Sequence, residues 1–238
     1  MNEKTEENLE ESSDILKTGH YKKNPIIIDL EHTDLIKYFH INDIKSAYNK
    51  KKKLKITDKG IYSISKPYLT QWICSIIINN IGYSKDHIKN NIILTDGTAG
   101  IGGDVIYFSN YFKQINAVEL NPVHFKVLKH NINEVLNIEN VKFYLNNYIN
   151  VSTILKNDVV YLDPPWGGKN VYKKKDIMLS LGNYKIYNII NKLHEYSVKF
   201  VFLKIPHNFN YYLFFHRVKY DEIRIFKNHK VWLLMMKL

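Results

Sequence analysis

Ile92-Ile93-Leu94-Thr95-Asp96-Gly97-Thr98-Ala99-Gly100-Ile101-Gly102-Gly103 begins as a short, β-branched apolar run and turns on closely spaced glycines. It leads directly into a segment, Gly103–Phe112, that reads as a helix. Glycines at such a strand-to-helix turn let the backbone bend sharply and approach a ligand that a Cβ would exclude. The same rhythm recurs outward from this stretch. Ile92–Asp96, Ile115–Glu119, Val141–Leu145, Asp158–Asp163 and Phe200–Ile205 read as strands, and Gly103–Phe112, Pro122–Leu136 and Ile186–Tyr196 as helices. Alternation of this kind predicts a parallel sheet covered by helices on both faces.

The last two apolar runs, Glu222–Phe226 and Val231–Met236, are separated only by Lys227–Lys230. A crossover does not fit into four residues, so the chain must end in an antiparallel hairpin. The expected fold is therefore α/β: a Rossmann-like, class I methyltransferase architecture with a mainly parallel seven-stranded sheet and a C-terminal antiparallel hairpin. A plain dinucleotide-binding domain has no need of that hairpin. Ahead of the sheet, Leu69, Trp72, Ile73, Ile76 and Ile77 recur at helical spacing within Pro67–Ile81. The stretch from Pro25 to Lys59 reads as a helical segment with a basic exit. The expected organisation is a disordered acidic tail over 1–20, a small helical N-terminal extension over 21–85 and a catalytic domain over 86–238.

Among the 238 residues, Lys and Arg number 34 against 23 Asp and Glu, a net charge of +11. Residues 1–14 hold six of the acids and one lysine, so the remaining chain is more basic still. That balance points to a polyanionic partner, RNA or DNA. Lys50–Lys53 with Lys55 form the densest positive run. One cysteine, Cys74, excludes a disulfide framework and any cysteine-cluster metal site, and the ten histidines have no metal-ligand spacing. No apolar run has membrane-spanning length and no secretory signal is present. The expectation is an intracellular protein, cytoplasmic or nuclear, that binds no metal. Asn, Ile, Lys and Tyr are abundant, as AT-rich coding would produce.

Two features carry chemistry. In the first, Asp96 ends one strand, the glycines follow, and Glu119 ends the next strand 23 residues later. An acid at the second position accepts hydrogen bonds from both hydroxyls of a ribose, in NAD or S-adenosylmethionine alike. In the second, Asp163-Pro164-Pro165-Trp166-Gly167-Gly168 follows the strand Val159–Leu162. Two consecutive prolines hold the backbone and withhold two N–H donors, leaving their carbonyls and the Asp163 carboxylate as acceptors. An exocyclic amine needs that arrangement, with its hydrogens held and its lone pair turned to a methyl donor. Trp166 offers a face for a base. Tyr211, Tyr212, Phe214 and Phe215 read as packing against the sheet, and Cys74 as core.

These residues resemble a family. Asp163-Pro164-Pro165-Trp166 with Gly167-Gly168 is similar to the motif of trimethylguanosine synthases, the RNA cap guanine-N2 methyltransferases. Tyr62-Ser63-Ile64-Ser65 resembles that family's Phe-Ser-Val-Thr segment and Gly100-Ile101-Gly102-Gly103 its Gly-Val-Gly-Gly. Ile205-Pro206-His207-Asn208 resembles its Leu-Pro-Arg-Asn. Order and spacing hold from about residue 58 to the C-terminus. There are departures: Asn147 stands where the family often has an acid, Lys66 replaces a proline and His207 an arginine.

The resemblance implies S-adenosylmethionine as cofactor, held by Ser65, Asp96, Gly97, Thr98, Gly100, Gly102, Glu119, Leu120, Asn147 and Asp163. It implies a 7-methylguanosine-capped RNA as partner, contacted by Tyr62, Ser63, Trp166, Pro206 and Asn208, with Asp163, Pro164 and Trp166 catalytic. A minimal, monomeric viral member acting in the host cytoplasm fits the compositional bias. Lys50–Lys55, Lys169 and Lys173–Lys175 are candidates for the triphosphate bridge. The competing expectations are an N6-adenine or other guanine-N2 methylase on DNA or structured RNA, an inactive RNA-binding module, and an NAD oxidoreductase.

Overall fold

The computed structural model describes residues 24–31, 34–40, 52–168, 170–196 and 198–238. The acidic tail, Lys50, Lys51 and Lys169 lie outside the described residues. The chain divides into two compact units, Met1–Tyr148 and Ile149–Leu238.

Within the first unit, β1 (Ile27–Asp29) and β2 (Lys55–Thr57) pair antiparallel as a two-stranded ribbon, and among the described residues between them a four-residue helix, α1 (Leu35–Tyr38), follows β1. This corrects the helical reading of Pro25–Lys59 at Ile27–Asp29 and Lys55–Thr57, which are strands; residues 41–51 of that stretch lie outside the described residues. Ile26, Ile27 and Ile28 are β-branched, which suits an extended strand, and a long-range clamp holds the ribbon. The buried Asn131 side chain accepts from Lys55 N (2.8 Å) and donates to Lys55 O (2.9 Å) and Ile101 O (3.3 Å). Then come α2 (Gly60–Ser63), α3 (Pro67–Asn80) and α4 (Lys85–Asn91). Helix α3 starts on Pro67 at its first turn, where no N–H is needed, and buries Leu69, Ile73, Cys74, Ile76 and Ile77.

The unit's central strands are β3 (Ile93–Asp96), β4 (Gln114–Glu119) and β5 (Val141–Leu145), parallel and in the order 3-4-5. Their crossovers are α5 (Gly103–Phe108) and α6 (Pro122–Lys129). Asn121 caps α6, its Oδ1 accepting from Val123 N and His124 N. The helix predicted over 122–136 continues past α6 as a π-helical stretch, His130–Val135. Asn131, the clamp on the ribbon and the glycine loop, lies in this stretch.

A short α7 (Tyr148–Val151) precedes β6 (Val159–Leu162), a small β7–β8 hairpin (Ser180–Leu181, Tyr184–Lys185) and α8 (Ile186–Glu195). Then follow β9 (Phe200–Pro206), α9 (Tyr211–Phe215), β10 (Glu222–Asn228) and β11 (Val231–Lys237). β6 and β9 are parallel, whereas β11 runs antiparallel to both β9 and β10. The sheet order is β10-β11-β9-β6-β3-β4-β5, the mainly parallel seven-stranded sheet with a terminal antiparallel hairpin that the sequence predicts. All seven residues of β9 are buried, and only Lys204 among them is charged. Helix α9 departs from its expected packing. Phe214 is buried, but Tyr211 is 45 % and Tyr212 70 % exposed.

Candidate active site

In the first unit the strand β3 delivers Asp96, buried, to the start of the glycine loop. Its Oδ1 accepts from Thr98 N (3.0 Å) and Thr98 Oγ1 (3.4 Å), closing a tight turn. Gly97 is buried within that turn. Gly100 has φ 56, a conformation that costs glycine little. A Cβ there would meet Thr98 O at 3.9 Å, an ordinary contact, so the backbone conformation and not crowding calls for glycine at this point. Gly102 and Gly103 have a different reason. A Cβ at Gly102 would lie 2.8 Å from Leu128, and one at Gly103 2.6 Å from Ile64. Close packing requires these two glycines.

The loop is tied to Glu119 at the tip of β4. Gly100 N donates to Glu119 Oε2 (2.8 Å), and Asn121 N donates to Oε1 (2.7 Å). Both carboxylate oxygens thus meet backbone donors. Burial pushes the Glu119 carboxyl up to about 7, while the N–H groups of Asn121, Gly100 and Leu120 pull it down in part. His124 Nδ1 lies 3.9 Å from Oε1, but burial lowers that imidazole to about 4, so it is neutral and contributes no ion pair. Leu120 follows Glu119 and is half-buried. Asn147, also half-buried, follows Asn146, whose N–H donates to Glu119 O (3.1 Å).

The Tyr62–Ser65 segment closes α2. Tyr62 is 69 % exposed, and Ser63 Oγ donates weakly to Gly60 O (3.4 Å). Ser65 is buried and donates to Asp104 Oδ2 (2.8 Å), while Thr70 Oγ1 donates to Oδ1 (2.5 Å). Asp104 thus fastens this segment and α3 to the first turn of α5. Its only sequence signal is an acid in a helix's first turn, where the dipole favours negative charge.

In the second unit β6 delivers Asp163. The feature sequence reasoning missed is Lys204 on β9. Its Nζ donates to Asp163 Oδ2 at 2.7 Å, with the two side chains only 6 % and 18 % exposed. The same ammonium lies 5.7 Å from the Trp166 ring centroid. A lysine in the middle of an apolar strand was the available signal, because a fully buried lysine needs a partner. Pro164 is buried and Trp166 half-buried. Gly167 (φ 97) and Gly168 (φ 87) then turn the chain through two successive left-handed conformations that other residues resist.

The turn brings a short 3₁₀ helix, Val171–Lys173, beside Trp166. Tyr172 packs edge-on to Trp166 (6.3 Å) and stacks on His207 (5.5 Å, 17°). Asn208 donates to Val171 O (2.9 Å) and Lys174 O (2.6 Å). Pro206, buried, ends β9. The second unit therefore gathers Asp163, Pro164, Trp166, Pro206 and Asn208. Around them, the buried Trp166 Nε1, His207 Nδ1 and Asn208 Oδ1 have no hydrogen-bond partner among the described residues. One donor, one acceptor and an imidazole nitrogen are thus left unsatisfied at buried positions of this unit. No group of three or more metal-ligating side chains occurs among the described residues. None of their helices is long and apolar enough to cross a membrane.

Comparison with known proteins speaks to the fold and the family. The chain is 30 % identical to an uncharacterised protein, L320, of Acanthamoeba polyphaga mimivirus, over 89 % of this chain and 99 % of the relative. It shares its fold, at 12 % identity and a TM-score of 0.54, with the T. thermophilus 16S rRNA N2 G1207 methyltransferase solved with AdoMet and guanosine. That match covers 80 % of this chain and 49 % of the other. An S-adenosylmethionine-dependent O-methyltransferase of Thermotoga maritima matches equally, at 12 % identity and TM-score 0.54, over 74 % and 66 %. Residues 91–219 match the model of the RNA cap guanine-N2 methyltransferases, and the chain belongs to that methyltransferase family.

Proposed function

We propose that this protein methylates the exocyclic N2 amine of a 7-methylguanosine RNA cap, with S-adenosylmethionine as donor. The observation that carries the reading is the Asp163 carboxylate, held by Lys204 beside the Trp166 ring and the buried Pro164. The first unit's residues fit the cofactor: the glycine turn at Gly100, the Asp96 carboxylate, and the Glu119 carboxylate at the tip of β4, an acceptor for ribose hydroxyls. When bound, S-adenosylmethionine supplies an electrophilic methyl group. The protein's part is to position the acceptor. Asp163 Oδ1 and the Pro164 carbonyl accept the amine's two hydrogens, so its lone pair points away from both. Trp166 carries the base on its face, where a cationic 7-methylguanine gains about 1–2 kcal/mol over a neutral one. Orientation of this kind is worth up to about 7–11 kcal/mol. A strong base is unnecessary, since the amine becomes acidic as it is methylated.

The direct test offers labelled donor with 7-methylguanosine cap, unmethylated guanosine cap, guanine-containing structured RNA and adenine-containing DNA. Transfer to the 7-methylated cap alone is expected. The T. thermophilus relative in fold acts on N2 of an rRNA guanine, so transfer to the structured RNA alone would replace the cap as acceptor while keeping the amine chemistry.

Glu119 also makes cofactor binding pH-dependent. Its carboxyl titrates near 7, and only the ionised form offers both oxygens as acceptors. Cofactor affinity should rise as pH climbs through 7 and be about tenfold weaker at pH 6 than at pH 8. Stability of the free protein moves the other way, because an acid raised by folding is favoured protonated. That contribution is full below about 4.5 and lost as pH rises through 7. Titration calorimetry at the two pH values checks the affinity; equal dissociation constants remove Glu119 from the cofactor site.

A further inference from the structure

Beyond the acceptor nucleotide, we infer that the second unit carries a track for single-stranded RNA, running from Tyr172 to Trp232 and Tyr211. The inference deepens the capped-RNA reading and rests on it for which nucleotide enters at Trp166. The track begins where Tyr172, exposed on one side, stacks on His207 next to Trp166. His207 N donates to Lys230 O (3.0 Å), which joins this stack to the loop between β10 and β11. In the β9–β11 pairing, Pro206 lies opposite Val231 and Ile205 opposite Trp232, so the next ring is one strand over at the same end of the sheet. Trp232 is followed at 6.5 Å by the ring of Tyr211, 45 % exposed, and Tyr212 beside it is 70 % exposed.

Lysines flank this row of rings. Lys230 Nζ lies 5.4 Å from the Tyr172 centroid and Lys227 Nζ 4.5 Å from that of Trp232, while Lys173–Lys175 extend exposed from Tyr172. From Lys204 to the C-terminus seven Lys and Arg face two acids, Asp221 and Glu222, and Arg224 engages Glu222 at 2.5 Å. Exposed rings (Tyr172, Tyr211, Tyr212) and the half-buried Trp232, interleaved with ammonium groups, are what a nucleic acid single strand uses, with bases stacked on the faces and phosphates met by the cations. A protein partner is the poorer fit, since interface cores are depleted in lysine. Duplex is a poorer fit too, since its bases are already stacked on one another. In the free protein the lysines cover the ring faces, and they move to the phosphates when bases take those faces.

The test measures binding of the full chain to a fluorescent ten-nucleotide uncapped RNA, alongside methyl transfer to a cap dinucleotide that has no RNA body. Trp232→Ala should weaken RNA binding about tenfold. Lys227→Gln with Lys230→Gln should weaken it too and reduce the slope of log affinity against log salt by about 1.4. Tyr211→Ala, at an exposed helix position, serves as the variant least able to disturb folding and should weaken binding several-fold. All three should leave transfer to the cap dinucleotide within twofold of wild type. Unchanged RNA affinity in Tyr211→Ala and the double lysine variant overturns the track, as does equal or tighter binding of duplex RNA. A wild-type chain that binds the oligonucleotide but methylates no cap dinucleotide refutes the cap reading, not the track.

Discussion

Asp163→Asn should lower methyl transfer about a thousandfold, and the loss should be in kcat. The substitution keeps the size of the side chain and replaces one acceptor with an amide that can donate, so the amine loses its alignment. It also leaves the Lys204 ammonium, 6 % exposed, without the carboxylate 2.7 Å away. Breaking a pair this buried costs roughly 3–5 kcal/mol, somewhat less here because Asp163 is 18 % exposed. A thermal midpoint lower by roughly 10 °C should accompany the lost activity. The two effects come apart in a second variant. Adding Lys204→Met to Asp163→Asn removes the stranded charge and fills the space with an apolar chain of similar length. Stability should return while activity does not. A single Asp163→Asn variant with near-normal kcat would remove Asp163 from the chemistry and leave it as a structural partner of Lys204.

Trp166→Ala should lower kcat/KM for the 7-methylated cap by about a hundredfold to a thousandfold while leaving cofactor affinity within about twofold. A stacked base is worth about 1–3 kcal/mol, and the positive charge of 7-methylguanine adds about 1–2 kcal/mol on an indole face. Lys204 approaches that ring at 5.7 Å, but its charge is matched by Asp163, so it does not cancel the attraction for a cationic base. Phenylalanine at 166 keeps a face with a weaker quadrupole and no N–H, and should recover part of the loss. Both measurements are steady-state kinetics with a cap analogue, plus calorimetry with the cofactor. A Trp166→Ala variant that loses cofactor binding as well has lost structure, and the role assigned to its ring falls with it.

Most of the architecture was legible along the chain because it is written in local periodicity. β-branched runs of four to seven residues, glycines after Asp96 and a four-residue gap before the last strand are local facts, and each constrains the backbone around it. The Asp163-Pro164-Pro165-Trp166 segment is local as well, since two prolines impose the same rigid acceptor geometry in any fold that exposes them. The first ribbon was not legible. Its strands are three residues each, too short for a period to emerge, and what holds them is Asn131, 76 residues from Lys55. The continuation of α6 as π-helix was hidden for the same reason, because an amphipathic pattern over 122–136 does not distinguish i→i+4 from i→i+5 bonding.

The amino-acid sequence by itself determined the order of the seven strands of the main sheet along the chain, the glycine turn after Asp96 and the rigid Asp163-Pro164-Pro165-Trp166 turn, because each depends on neighbours along the backbone. Only the tertiary structure decided that Lys204 holds Asp163 across 41 residues, that Gly102 and Gly103 exist for packing, and that Tyr211 and Tyr212 face outward. The physical reason is common to all three. A buried charge, a missing Cβ and an exposed ring are defined by what lies against them, and those neighbours come from distant parts of the chain only once the sheet has formed.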